Sequence, residues 1–96
     1  MRLVWGPRAK RDLRDLVEYI AQESVQRAEL VSQRILTSAQ LLARMPRVGR
    51  PGRVQGTRER VVGRTPYVLA YKVVSGRVRI LRVYHGARRW PSSFEP

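Results

Sequence analysis

Apolar residues recur along the first half of the chain with the period of a helix. Residues 2–5 form a short β-prone run, and the apolar positions of residues 7–22 then lie three and four residues apart, which predicts a strand followed by a helix. A second stripe of helical spacing follows Ser24, a residue type that caps helices, and runs to Pro46. Because the connection between the two helices is short, we expect them to lie antiparallel.

Three β-prone runs occupy the second half of the chain, at residues 57–63, 67–74 and 77–85. Short segments separate them, which predicts a three-stranded antiparallel meander. Residues 46–56 contain three Gly, two Pro and three Arg, a composition that predicts a flexible basic loop without regular structure. The predicted fold class is therefore α+β: a strand, an antiparallel two-helix hairpin, and a meander that forms a small sheet packed on the helices.

The last two strands are predicted to form a hairpin whose two faces differ in polarity. A two-residue turn at Ser75-Gly76, continued as a regular ladder, opposes Tyr67 to Tyr84. One face is expected to pack on the helices; it contains Tyr67, Leu69, Tyr71, Val73, Val78, Ile80, Arg82 and Tyr84. On the other face Lys72 opposes Arg79 across the hairpin, and because like charges repel, this face should be exposed to solvent. It is the candidate working surface and contains Val68, Ala70, Lys72, Arg79, Leu81, Val83 and His85.

Positive charge is concentrated in the later two thirds of the chain. The net charge is +13, of which residues 1–29 contribute +1 from six bases and five acids, whereas residues 30–96 carry fourteen bases and two acids for +12. Nearly all of the bases are Arg, which suits bidentate contacts with phosphate or carboxylate groups. The composition therefore predicts an anionic partner, either a nucleic acid or an acidic protein.

Several classes of protein are excluded by composition. The chain has no Cys and one His, so we expect no disulfide, no metal site and no cofactor. No apolar run approaches the roughly 20 residues that a bilayer requires, and no secretory signal is evident, so a cytoplasmic location without membrane contact is expected. Residues 1–96 are expected to form a single domain with a flexible tail at residues 86–96.

One type of catalysis remains open to these residues. Cleavage of RNA by its own 2′-hydroxyl requires a base, an acid for the leaving oxygen and cations around the developing phosphorane charge. His85 and Glu59 are the candidates for proton transfer, and the candidate cations are Arg60, Arg64, Arg82 and Arg88. The alternative interpretation of His85, as a surface or hydrogen-bonded structural residue at a strand end, also stays open.

The remaining basic residues near the predicted working surface are candidates for binding. Trp90, beside Pro91, has two interpretations: a hydrophobic peg that holds the tail on the sheet, or part of a binding surface. The candidate residues for contact with a target or a protein partner are Arg50, Arg53, Arg60, Arg64, Arg79, Arg88, Arg89 and Trp90.

Four segments, taken in order, resemble a known superfamily. They are residues 5–13 (WGPRAKRDL), 56–62 (GTRERVV), 67–73 (YVLAYKV) and 80–91 (ILRVYHGARRWP). Their order and spacing in a basic chain of this length are similar to those of the ParE/RelE superfamily of toxins from bacterial toxin–antitoxin modules. The resemblance covers nearly the whole chain and implies a toxin that inhibits growth until a cognate antitoxin binds it through an acidic or amphipathic segment.

Within that superfamily the resemblance implies one of two targets. RelE-like members cut mRNA on the ribosome, whereas ParE-like members poison DNA gyrase without being nucleases. Where RelE-like toxins have catalytic lysines and an arginine, this chain has Glu59, Val61 and Val68, and Phe94 stands in place of a late tyrosine. Arg88 alone matches the RelE-like catalytic pattern.

His85 leaves the choice of target open. It occupies a position similar to the catalytic histidine of YoeB-like ribonucleases, but Gly86 follows where those have a tyrosine, and many ParE-like chains also have a histidine here. We favour the ParE-like mode, with a ribosome-dependent mRNA endonuclease as the alternative. A basic nucleic-acid-binding module without toxicity is the second alternative.

Overall fold

The computed structural model describes residues 1–94, in which two antiparallel helices pack on one face of a five-stranded sheet. This arrangement confirms the α+β class. Residues 95 and 96 of the predicted tail lie outside the described residues. The elements are β1 (Arg2–Trp5), α1 (Pro7–Ala21), α2 (Val25–Arg44), β2 (Arg50–Pro51), β3 (Arg58–Val61), β4 (Tyr67–Val74) and β5 (Arg77–His85).

Local sequence signals account for the boundaries of both helices. Pro7 occupies the first turn of α1, where its missing N–H costs nothing, and the N–H of Gly6 donates to the carbonyl of Ile80 at 2.9 Å. The hydroxyl of Ser24 accepts a hydrogen bond from the N–H of Arg27 at 3.1 Å and so caps α2. Both predicted helices are therefore confirmed to within two residues at their ends.

The sheet contains more strands than the predicted meander. Its order is β1-β5-β4-β3-β2, with β1 parallel to β5 and all other pairs antiparallel. The meander of β3, β4 and β5 is confirmed, but β1 extends it on one side and the two-residue β2 on the other. The expectation of a small three-stranded sheet is corrected to a mixed five-stranded one.

Hydrogen bonds hold the segment at residues 46–56 against the sheet, and the prediction that it has no regular structure is corrected at Arg50–Pro51, which form β2. Arg50–Pro51 pairs with β3, and the buried Tyr71 hydroxyl accepts from the N–H of Gly49 at 2.9 Å and donates to the carbonyl of Pro46 at 2.8 Å. Composition could not reveal this, because the partners that satisfy the backbone lie in β3 and β4, more than twenty residues away for Tyr71.

A β-bulge in β5 changes the predicted register of the hairpin. Tyr71 pairs with Ile80 as expected, but Ala70 pairs with Arg82, which leaves Leu81 as the extra residue of the bulge. In a regular ladder Arg82 would point into the core while Val83 would be exposed. Because burying an unpaired charge is costly and burying valine is favourable, the bulge resolves this conflict.

The bulge corrects the predicted faces at the far end of the hairpin. Tyr67 pairs with His85 and not with Tyr84, so His85 moves to the helix-facing side, and Val83 enters the core. Arg82 and Tyr84 move to the side turned away from the helices, which we call the open face. On β3, β4 and β5 the open face consists of Glu59, Val61, Val68, Ala70, Lys72, Val74, Arg77, Arg79, Leu81, Arg82 and Tyr84.

The core lies between α2 and the sheet. The apolar stripe of α2 meets the helix-facing side chains of β4 and β5, and Ala9 of α1 is also fully buried. In the part of the chain that the structure describes, no helix has the length and apolarity to cross a membrane. The central buried residues are Val31, Ile35, Ala39, Leu42, Leu69, Tyr71, Val78, Ile80 and Val83.

Candidate functional site

The open face carries a cavity of about 400 Å³ beside the start of α1, which we call the open-face cavity. Lys72 and Arg79 oppose each other in the register, as predicted, and both line the cavity. None of the lining residues within residues 1–94 is acidic, so the cavity suits an anionic group attached to an apolar one. Its basic lining residues are Arg8, Lys72, Arg79 and Arg82, and its apolar ones include Val54, Leu81 and Phe94.

Asp12 of α1 fixes Arg82 at the edge of the sheet. The carboxylate accepts from Arg82 Nε at 2.7 Å and Nη2 at 3.0 Å, and from the N–H of Val83 at 2.9 Å. β1 ends at Trp5, opposite Ile80, so beyond that point β5 has no strand neighbour on this side and Asp12 supplies the acceptor. The hydrogen bond to Asp12 raises the pKa of the Arg82 guanidinium. Arg82 is therefore a fixed positive charge and not a proton donor.

Three aromatic rings from β5 and the tail pack together on the open face, and we call them the aromatic cluster: Tyr84, Trp90 and Phe94. The rings of Tyr84 and Trp90 meet edge to face with centroids 4.9 Å apart, and Phe94 lies 6.0 Å from Tyr84. Such pairs stabilise by about 0.5–1.5 kcal/mol beyond the area they bury. Trp90 therefore packs on β5 as expected of a peg that holds the tail on the sheet, and its role in binding stays a prediction.

Guanidinium groups cover the aromatic cluster. Arg53 lies 4.0 Å from the ring centroid of Trp90, while Arg82 and Arg88 lie 4.4 and 4.6 Å from that of Tyr84. These distances are those of cation–π contacts. Three of the predicted binding or catalytic arginines are thus brought together as a layer of charge held on apolar rings.

Glu59 is a buried anchor of the segment at residues 46–56. The residue is 2% exposed, and its carboxylate accepts from Arg50 Nη2 at 3.1 Å and from the backbone N–H of Arg53 at 2.7 Å. Arg53 Nε adds an ion pair at 3.3 Å. Although Glu59 belongs to the open face of β3, its carboxylate is covered by Arg50 and Arg53 and is not available to a substrate.

His85 is exposed and lies on the other side of the sheet from the remaining catalytic candidates. Its Nδ1 accepts from the N–H of Ala87 at 3.1 Å, and its ring meets that of Tyr67 edge to face at 5.9 Å. Because directly paired strand residues share a face, His85 lies with Tyr67 on the helix-facing side, whereas Glu59 and Arg82 belong to the open face. The structure does not bring these three residues together.

The other predicted binding residues divide between three places. Arg79 is exposed and lines the open-face cavity, and Arg89 is exposed in the tail. Arg60 and Arg64 line a second pocket, formed with α2 at the β3–β4 connection. The basic residues that were predicted to share one surface therefore lie on two: the open face, and the pocket that contains Arg60 and Arg64.

Asp12 and Arg8 lie at the open-face cavity or pair with a residue that lines it, and the sequence pattern did not identify either of them as a site residue. Asp12 follows the buried Ala9 by three residues and precedes Leu16 by four, which places an acid inside the apolar stripe of α1. That position was a usable signal for a buried ion pair. Arg8 carries no comparable signal, because its place in the cavity depends on how α1 starts against β5.

The fold and the basic open face are those expected of the toxins that the sequence resembles. Residues 3–90 match the family described as ParE toxin of the type II toxin–antitoxin system parDE. The chain therefore belongs to the ParE toxin family, and membership implies a cognate antitoxin as its partner.

Individual relatives extend over almost the whole chain. The candidate toxin Y4kP of Sinorhizobium fredii is 40% identical over 90 residues, covering 94% of this chain and 93% of its own. Toxin RelE2 of Caulobacter vibrioides is 38% identical over 87 residues, covering 91% and 97%. A solved chain of the chromosomal ParDE toxin–antitoxin system of P. aeruginosa superposes with a TM-score of 0.79 at 26% identity, covering 88% of this chain and 95% of that one.

Proposed function

We propose that this protein is a cytoplasmic toxin that inhibits growth by binding DNA gyrase without cleaving RNA, and that its antitoxin neutralises it by covering the open face. The observation that carries the proposal is the position of the two candidates for proton transfer, which are not together on the open face. Glu59 is enclosed by Arg50 and Arg53, and His85 lies on the opposite side of the sheet.

General acid–base cleavage of a phosphodiester makes a strict geometric demand. The base and the acid must each come within about 2.6–3.2 Å of a reacting oxygen, directly or through one water. A substrate on the open face would meet Arg79, Arg82 and Arg88, whose guanidinium groups stabilise negative charge and are hydrogen-bond donors without an acceptor site. The side chains of the open face are therefore suited to binding an anionic group and not to acid–base catalysis.

The same chemistry supports an acidic protein surface as the target. The open-face cavity combines four cations with apolar walls, and the aromatic cluster beside it offers rings of the kind enriched in protein interfaces. An antitoxin with an acidic or amphipathic segment would compete for the same surface, and competition for one surface is sufficient for neutralisation.

Two assays with the purified toxin test this proposal. We expect inhibition of gyrase supercoiling and intact mRNA in primer extension on programmed ribosomes. Arg79→Glu should weaken gyrase inhibition by reversing a charge in the cavity, whereas Arg27→Glu, on the exposed first turn of α2, should not. His85→Ala should inhibit gyrase as the wild type does.

The opposite pattern would select one of the alternatives. Specific mRNA cuts that disappear in His85→Ala, with supercoiling unimpaired, would establish the ribosome-dependent endonuclease, because loss of a proton-transfer group typically costs about 10²–10⁴-fold. Unimpaired growth on induction of the toxin alone, with neither activity in vitro, would leave the non-toxic nucleic-acid-binding module.

A further inference from the structure

A second pocket, of about 470 Å³, lies on the helix side of the sheet between α2 and the β3–β4 connection. Four arginines line it, and we call it the arginine pocket: Arg34, Arg44, Arg60 and Arg64. No acidic residue from the described part of the chain joins this lining. The pocket also contains Leu41 and Val62 as apolar surface and the polar side chains of Gln33, Thr37 and Ser38.

Arg60 occupies a position where folding alone favours an apolar residue. It pairs with the fully buried Leu69, so its side chain projects to the helix-facing side of β3, as does the buried Val62 two residues later. Its Nε is buried and has no hydrogen-bond partner within residues 1–94. A buried donor without an acceptor destabilises the folded state, so Arg60 lowers the stability of the isolated chain.

The neighbouring arginines destabilise the pocket further, because they bring more positive charge to it. Arg34 Nη1 donates to the backbone carbonyl of Arg64 at 3.4 Å, which holds a second guanidinium at the pocket. Arg64 has a φ of +61°, a left-handed conformation that is uncommon for a residue with a side chain. Like charges gathered around a partly desolvated pocket repel one another, and an anion between them would remove the repulsion.

We propose that the arginine pocket binds a carboxylate side chain of an acidic peptide segment. The Nε–H and Nη–H groups of an arginine form a fork that matches a carboxylate, and the unused Nε of Arg60 is half of such a fork. Leu41 and Val62 supply apolar surface for the rest of a peptide side chain. This inference rests on the proposed function, because the segment it requires is part of the antitoxin.

The location of the pocket adds a requirement for the antitoxin. The arginine pocket and the open-face cavity lie on opposite sides of the sheet, so one partner that fills both must pass around an edge or an end of the sheet. The pocket is then a second anchor point, separate from the surface that we propose for gyrase.

The test compares two variants that each remove one positive charge. Arg60→Gln lies in the pocket, and Arg27→Gln lies on the exposed first turn of α2, away from the pocket and the open face. Titration with an amphipathic Leu/Glu peptide should show binding weakened about tenfold to a hundredfold by Arg60→Gln and less than about twofold by Arg27→Gln. Equal weakening of peptide binding by both variants would overturn the proposal. The proposal would also fail if Arg60→Gln weakened the binding of a single-stranded DNA of equal charge more than it weakened the binding of the peptide.

A measurement on the free chain tests the same idea without a ligand. Arg60→Met keeps much of the side-chain volume and removes the unsatisfied donor and one like charge, so the midpoint of thermal unfolding should rise. A lower midpoint would show that Arg60 stabilises the fold, which contradicts the proposal.

The full antitoxin separates this inference from the function on which it rests. If the antitoxin binds Arg60→Gln as tightly as Arg27→Gln, the pocket has no role in the interface and the inference fails while the proposed function stands. If the wild-type chain forms no complex with the antitoxin of its own operon, the proposed neutralisation fails, and the peptide titration still decides whether the pocket binds carboxylates.

Discussion

Single buried polar side chains organise the backbone of this protein. The Tyr71 hydroxyl, fully buried, satisfies both a donor and an acceptor of the segment that follows α2. The Glu59 carboxylate satisfies one backbone donor, the N–H of Arg53, and also pairs with two guanidinium groups. An unsatisfied buried backbone group costs about 1–3 kcal/mol, so each of these side chains makes an irregular segment energetically acceptable.

Removal of the Glu59 carboxylate tests whether this residue is structural. Glu59→Ala should lower the free energy of unfolding in urea by about 2–4 kcal/mol, because the Arg53 N–H and two guanidinium groups lose their acceptor. Amide exchange at Arg53 should accelerate. Glu18→Ala, at an exposed position of α1, is the control and should change stability by less than about 0.5 kcal/mol. Unchanged stability together with lost toxicity would indicate a catalytic Glu59 instead.

At the scale of the elements, the sequence predicts what depends on periodicity and misses what depends on distant partners. Both helices, β1 and the meander follow from spacing and from capping by Ser24. The bulge at Leu81 was not predictable from the turn, because an alternating pattern assumes that the period of two continues past Ile80. A charged residue at a predicted core position, Arg82, was the available warning.

The candidate site was predictable to a similar extent. Arginines as binding residues follow from composition, and several of them do lie on the open face. Which arginines share a surface depends on the bulge, for which Arg82 was the one warning, and on β2, which has no signal within its own segment. The burial of Glu59 was missed for the same reason, since its partners Arg50 and Arg53 lie in a segment predicted to be loose.

The ion pair between α1 and β5 provides a prediction at this scale. Asp12→Asn leaves Arg82 without its counter-charge at a site where both side chains are less than a fifth exposed. We expect the free energy of unfolding to fall by about 2–4 kcal/mol, measured in urea, because breaking a largely buried pair leaves one charge uncompensated. Asp15→Asn, exposed on the same helix, is the matched control. Equal stability of the two variants would contradict the structural role of Asp12.

For the whole molecule, the distribution of charge separates folding from binding. Residues 1–29, which include α1 and the loop to α2, are nearly neutral, and residues 30–96 carry a net charge of +12. Only three ion pairs form within residues 1–94, so most of the positive charge is uncompensated inside the chain. This excess does not hold the fold together, and a surface of this charge would attract and orient an anionic partner.

Association with the antitoxin should therefore depend strongly on salt. The association rate should fall at least about tenfold between low and physiological ionic strength, because screening shortens the reach of the basic surface, while the dissociation rate changes little. Arg79→Glu, at the open-face cavity, should slow association more than Arg27→Glu, which makes the same change of charge in the nearly neutral part of the chain. Stopped-flow mixing with the co-expressed antitoxin measures both rates. Equal association rates for the two variants would show that net charge alone, and not the open face, directs the encounter.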